Sequence, residues 1–432
     1  MSHRTILKLA LPAIVSNVTV PLLGLVDTAI VGHLGSPVYI GAIAIGGMIF
    51  SVIYWIFGFL RAGTSGFTSQ AFGAGNTPDV KATLQRSILF ALAVAILLLV
   101  LQVPIAKIAF RLLNSSAEVE NAARTYFYIC IWGAPAVLLL YGFNGWFIGL
   151  QSTKSTMFIS LIQNLSNIVL SLLFVFGFGM RVAGVALGTL LAQYIGLIMA
   201  LHFWKTRFKL YFHLDWTKKV LQNKDEILRF LRVNRDIMLR TLCILAVTTF
   251  FTSMGARQGN LTLAANAILI QLFYLFSYFM DGFSNAGEAL AGQYHGAHDT
   301  SNFKKTVHLV FFWATILSLF CSVVYLLLGK FILSLLTNNQ EVLKLSSQYF
   351  GWTVLVPLVG FAAFIWDGIF IGITATRYLF LSMFLATCGF FIAFALTFPS
   401  WGNHGLWFSF CLFLLLRGLF QTAFYPHLLK QR

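Results

Sequence analysis

Apolar runs and short polar breaks alternate along the whole chain. The runs fall at roughly 5–32, 39–72, 83–112, 123–150, 156–180, 183–205, 230–257, 262–295, 303–336, 344–373, 377–398 and 402–430. A membrane-spanning helix takes about 20 apolar residues, so each run is long enough for one span. Runs longer than that predict tilted helices, or ends that emerge from the bilayer. Ten-residue segments of alternating hydrophobicity, the mark of outer-membrane barrels, are absent. Lipid offers no partner to a free backbone group, so only helices remain as spanning elements. The pattern predicts an all-α polytopic membrane protein with twelve transmembrane helices.

Composition agrees. Of 432 residues, 59% are hydrophobic and 10% charged, against about 25% charged in an ordinary soluble domain. Mean hydropathy is +0.83. One soluble core cannot hide that much apolar surface, and disorder is excluded on the same grounds. The N-terminal run carries no small-residue cleavage site after a short apolar stretch, so it reads as a retained helix.

The longest polar stretch, 204–240, divides the runs into two sets of six. It gives an N-terminal lobe at 1–205, a basic linker at 206–229 and a C-terminal lobe at 230–432. If the linker is cytoplasmic, both termini are cytoplasmic too. The cytoplasmic side then holds 20 lysines and arginines and the outer side 7, as the positive-inside rule requires. The net charge of +16 therefore reflects topology in a cell (inner) membrane, with no call for nucleic acid.

The two halves repeat. Tyr126-Phe127 matches Tyr349-Phe350, Gly145-x-Phe147-Ile148-Gly149 matches Gly368-x-Phe370-Ile371-Gly372, and Thr153-Lys154 matches Thr376-Arg377. Gln70-x-x-Gly73-Ala74 matches Gln293-x-x-Gly296-Ala297. Every pair lies at one offset, 223 residues (Gly145 to Gly368). An even number of helices per copy makes the copies parallel and pseudo-symmetric. Secondary transporters built this way carry their site near the midplane, between repeats.

Ionisable residues inside apolar runs cost about 2.5–3.5 kcal/mol each to insert, which makes them functional candidates. Asp27 follows Pro21-Leu22-Leu23-Gly24-Leu25-Val26 with no lysine or arginine within a turn. Such a carboxyl can take up and release a proton; alternatively it sits solvated near a helix end. Pro12 and Pro21 in the same run remove backbone hydrogen bonds and invite kinks. Asn164, Asn167 and Ser171 share a helix face. They either serve a bound ion or substrate, or hold helices together. In the second half Asp281 and Glu288 share a face, and Asp367 precedes the repeated glycine pair. Arg61 maps onto Ser284 and could pair with Asp281 or Glu288. Arg417 could neutralise Asp367. These groups form either a C-lobe cation site or static ion pairs.

Gly145-x-x-x-Gly149 and Gly368-x-x-x-Gly372 have the spacing of close helix packing. Gly63-Thr64-Ser65-Gly66 admits an intramembrane serine protease through Ser65, but no histidine stands in a partner motif. The five cysteines show no CxxC spacing and no His/Cys cluster suggests a metal centre. No Gly-rich phosphate loop is present, so no cofactor is implied.

Several blocks resemble the multidrug and toxic compound extrusion (MATE) transporters, and within them the DNA-damage-inducible F branch. They are Leu9-Ala10-Leu11-Pro12-Ala13-Ile14 with Pro21 to Ala29, Arg61 with Thr64-x-Gly66-x-Thr68-x-Gln70-Ala71-Phe72-Gly73-Ala74, and Asn234-Arg235-Asp236-Ile237-Met238-Leu239-Arg240. Leu275 to Phe283, Asp367-Gly368-x-Phe370-Ile371-Gly372 and Gly402-Asn403-His404 fit as well. The resemblance implies two six-helix lobes forming a V. It implies export of lipophilic, often cationic, compounds in exchange for protons or sodium; the expected partners are those compounds and membrane lipids, and the expected state is a monomer. It makes Asp27 the main protonation site and Pro12 a bending point. The family's fifth-helix Asn-x-x-Asn-x-x-x-Asp reads here Asn164-x-x-Asn167-x-x-x-Ser171, so the second carboxylate is missing and Asp27 stands alone. A lipid-linked precursor flippase of related fold is the alternative; it would favour a more basic central cavity.

Overall fold

The computed structural model describes residues 1–33, 36–113, 116–212 and 224–430. These are helical almost throughout. Twelve segments are long and apolar enough to cross a membrane, and their outward-facing side chains are large and apolar, as at Ile198, Leu327 and Leu396. The chain is a multi-pass membrane protein.

In the first half the helices are α1 (His3–Gly32), α2 (Pro37–Phe57), α3 (Phe59–Gly73), α4 (Thr77–Val100), α5 (Gln102–Leu113), α6 (Ala117–Cys130), α7 (Ala134–Gly149), α8 (Thr153–Leu172) and α9 (Arg181–Arg207). In the second half they are α10 (Lys224–Arg257), α11 (Asn260–Gly296), α12 (Thr300–Leu336), α13 (Gln340–Gly372), α14 (Thr376–Trp401) and α15 (Asn403–Lys430). The second half runs as six unbroken helices, whereas the first half divides three of its six runs. Proline explains two of the divisions. Pro104 has no N–H for the Val100 carbonyl, and the helix stops at Leu101 before α5 begins. Pro135 likewise cannot bond the Ile131 carbonyl, and Ile131–Gly133 tightens into a 3₁₀ turn between α6 and α7. The third division falls at Gly58, where a helix is weakest. Pro12 and Pro21 do not interrupt α1.

The repeat extends to the backbone. Left-handed φ values recur at the same offset: Gly75 (66°) with His298 (55°), Gln151 (60°) with Thr374 (54°), and Gly179 (67°) with Gly402 (52°). The caps of α4 and α12 correspond with their side chains exchanged. Asn76 caps α4 by accepting from the Asp79 amide at 3.2 Å. Asp299 caps α12 by accepting from the Asn302 amide at 2.9 Å. The Asn302 amide, with a second bond from the Asn302 side chain, holds the Asp299 carboxyl below its ordinary range.

Small residues set the closest helix contacts, and they too correspond. A Cβ on Gly145 would strike the Arg61 carbonyl, and one on Gly368 the Ser284 carbonyl. Gly149 and Gly372 stand in the same way against the carbonyls of Ser65 and Glu288. Backbone cannot yield as a flexible side chain can. Gly368→Ala is expected to destabilise the α11–α13 contact by about 1–3 kcal/mol, measured as a lower thermal midpoint of the detergent-solubilised protein. An unchanged midpoint would mean the helices separate freely there.

The chain forms two compact units, Val15–Leu231 and Met1–Ile14 with Arg232–Arg432. Their limits differ from the sequence-based lobes at two places. The first turns of α1 pack with the C-terminal unit, where Gly282 admits the Ala10 carbonyl and Ile14. Residues 224–231, which open α10, pack with the N-terminal unit. There Arg86 pairs with Glu226, and Phe230 lies against Phe67 and Phe90. Of the expected linker, 213–223 lies outside the described residues, and 224–229 belongs to α10.

Candidate functional site

In the N-terminal unit, α1 places Asp27 in a buried position, 8% exposed. Its Oδ1 has no hydrogen-bond partner, and no lysine or arginine pairs with it among the described residues. Tyr126 and Cys130, one turn apart on α6, lie within electrostatic reach of its carboxyl. Tyr126 is in side-chain contact with Thr189 of α9. Asn167 of α8 donates to Thr189 Oγ1 at 3.0 Å, and Ser171 donates to Asn167 Oδ1 at 3.4 Å. Cys130 donates through Sγ to the Ala186 carbonyl at 3.6 Å.

Two of the three polar residues expected on α8 thus join a chain of neutral donors and acceptors that reaches toward Asp27. Asn164 is half-buried, with an Nδ2 that has no partner. Gly188 lets α9 come against the Ser171 backbone, so that position is closed by helix packing. Tyr54, with a buried and partnerless hydroxyl, stands within electrostatic reach of Cys130 and Tyr141, and Tyr141 within reach of Arg61. The sequence reading missed Tyr126, Cys130, Thr189 and Tyr54. Tyr126 was visible there only as part of the repeat and Cys130 only as a cysteine without a partner.

In the C-terminal unit Asp367 is fully engaged. Its Oδ2 accepts from Arg240 and, at 2.7 Å, from Arg417; its Oδ1 accepts from Gln421 at 2.6 Å. The Arg417 guanidinium also sits near the rings of Phe364 and Phe413, 5.6 and 5.5 Å from their centroids. Asp281, half-buried on α11, contributes charge toward Arg417. Glu288 is buried on the same helix. Arg240 and Gln421 escaped the sequence reading. Arg240 was counted among the basic residues of the 204–240 stretch, and Gln421 lies one turn beyond Arg417, which was the available signal. Arg61 belongs to the other unit from Asp281 and Glu288.

The two clusters can do different things. Asp367 has both oxygens occupied by cationic and amide donors, which is an ion-pair knot. Asp27 keeps one oxygen open among neutral groups, which leaves it able to bind a proton or a cation. Ser65 is buried with a partnerless Oγ, so it has no base to activate it. Among the described residues, no group of three His, Cys, Asp or Glu side chains could hold a metal ion.

The MatE family model matches residues 12–173 and 237–397, one match in each half of the repeat. The chain belongs to the MatE family. It is 39% identical to DNA damage-inducible protein F of Escherichia coli (strain K12), over 98% of this chain and 92% of that protein. It is 23% identical to the probable multidrug resistance protein NorM of Thermotoga maritima, over 80% of this chain and 74% of that one. A solved Vibrio cholerae MATE transporter superposes with a TM-score of 0.88 at 18% identity, covering 100% of this chain and 97% of the other. At that identity the likeness establishes the fold. Membership of the MatE family makes the chain a transporter and not an enzyme.

Proposed function

We propose that this MatE transporter is a secondary antiporter that exports lipophilic, often cationic, compounds in exchange for protons, with Asp27 as its main protonation site. The observation that carries this reading is the buried, partnerless Asp27 Oδ1, with no cation paired to it among the described residues and a neutral hydrogen-bonding chain behind it. A charged Asp27 attracts a cationic substrate, and a proton neutralises the carboxyl and releases that substrate. The two states must favour different conformations, or the proton does no work. The asymmetry of lysine and arginine between alternate connections supports termini on the cytoplasmic face of the cell (inner) membrane.

The driving force is sufficient. One charge crossing 100 mV is worth about 2.3 kcal/mol, and a tenfold proton ratio adds about 1.4 kcal/mol. One proton per cycle can therefore sustain a ratio of several hundred for a neutral substrate. For a monovalent cation the exchange is electroneutral, and the proton ratio alone drives it.

The test uses purified protein in liposomes, with a fluorescent lipophilic cation and separately imposed pH and sodium gradients. Transport is expected to follow the pH gradient and ignore sodium. Transport that needs sodium would remove the proton from the mechanism. Indifference to both gradients would remove antiport itself.

A further inference from the structure

Away from Asp27, the end of α9 carries an unexplained surface feature. Ile198, Leu201, His202, Trp204, Lys205 and Phe212 line an open groove of about 460 Å³. Its construction follows from the chain leaving α9. After Arg207 the backbone makes a single 3₁₀ turn, Lys209–Tyr211, and doubles back. Trp204 Nε1 donates to the Tyr211 carbonyl at 3.2 Å. Phe212 then packs edge-on against Trp204, ring centroids 5.0 Å apart. Trp204 is itself anchored in the apolar core of the unit beside Phe143 and Trp146. The floor of the groove is therefore rigid and aromatic.

The groove has two chemical ends. Ile198 and Leu201 are 64% and 41% exposed on the outer face of a membrane-spanning helix. One turn further on, at the boundary of the span, His202 and Lys205 line it, with Arg207 and Lys209 just beyond. Among the described residues neither Lys205 nor Lys209 meets a carboxylate. Arg207 is held by the Phe203 ring at 4.1 Å and by Ser155 at 3.4 Å, again without an acid. Aliphatic surface at membrane depth, then an aromatic wall, then unneutralised cations at the boundary, matches the anatomy of one amphiphile with an anionic head.

We propose that this groove is a binding site for an anionic phospholipid, with an acyl chain on Ile198 and Leu201 and the phosphate at Lys205 and His202. The occupant is a lipid because the apolar end opens on an exposed apolar face of α9, a membrane-spanning helix. It is anionic because the basic end meets no acid among the described residues. The site is separate from the proposed proton site, so it stands or falls independently of antiport.

The test is native mass spectrometry of the whole protein with phosphatidylglycerol or phosphatidylcholine of the same chains. Wild type is expected to retain one phosphatidylglycerol preferentially. Lys205→Gln should weaken that retention about fivefold, the effect of one lysine near an anionic surface. Lys205→Gln with His202→Gln should abolish the preference, Lys205→Arg should keep it, and Lys344→Gln, in the C-terminal unit, should leave it unchanged. Both mutated side chains are exposed, and an unchanged thermal midpoint in zwitterionic lipid verifies folding. Equal retention of the two lipids by wild type, or an unchanged preference in the double variant, would overturn the assignment.

Discussion

Asp27→Asn is expected to abolish gradient-driven export while the protein still folds and reaches the membrane. Asparagine keeps the size of aspartate and fixes its charge at zero. The substitution should be benign for folding, because the aspartate has no ion pair to lose and its Oδ1 makes no hydrogen bond. The whole effect should fall on coupling. A carrier that cannot protonate at this site draws nothing from the proton gradient. The accumulation ratio for a neutral substrate should then fall from several hundred to about one, and the roughly tenfold outward ratio that the proton ratio gives a monovalent cation should be lost. Efflux of a fluorescent compound from proteoliposomes, with expression and thermal midpoint as controls, measures this. Full coupled export by Asp27→Asn would end the assignment. Loss of folding would show that the carboxyl is structural.

The second large effect is expected at Asp367, and it should fall on stability. This carboxylate is the shared acceptor of two guanidiniums and an amide, inside the C-terminal unit. Asp367→Ala would leave Arg240 and Arg417 facing each other without their common counter-charge. Breaking a buried pair from one side costs about 3–5 kcal/mol, because the remaining charge is uncompensated. Here two charges remain, and Asp281 offsets that of Arg417 in part. Arg417→Met should cost less, since Arg240 and Asp367 would still neutralise each other. A thermal melt of both variants beside wild type tests the order. If Arg417→Met is as damaging as Asp367→Ala, the arginine matters through its packing on Phe364 and Phe413 and not through charge.

The difference between the clusters also bears on how much was legible in the sequence. The twelve spans could be read because lipid imposes length and hydropathy directly on the chain. The repeat could be read because packing imposes it on particular residues. Gly145 and Gly368 sit against equivalent carbonyls, and the turns at Gln151 and Thr374 share a left-handed backbone. The breaks near Leu101 and Ile131 were carried by Pro104 and Pro135, yet hydropathy passes straight over them. Asp27 stood out because a lone acid in an apolar run is rare and costly. Its neighbours did not, because Tyr126, Cys130 and Thr189 are ordinary in apolar helices and become a site only when α6, α8 and α9 meet. The Asp367–Arg417 pair was expected from charge alone. Arg240 was hidden by the basic stretch beside it, where charge is dictated by topology. The packing of 224–231 with the N-terminal unit was hidden too, since a sequence marks a polar stretch but not which core its ends join.

Coupled export requires competition between a proton and a cationic substrate at one carboxyl, and proton release on binding tests that most directly. Tetraphenylphosphonium would be added to the detergent-solubilised protein in weakly buffered solution near neutral pH, and the pH change recorded. The expected result is release of up to one proton per bound cation by wild type, and none by Asp27→Asn. Binding without release by wild type, or the same release by the mutant, would contradict the account.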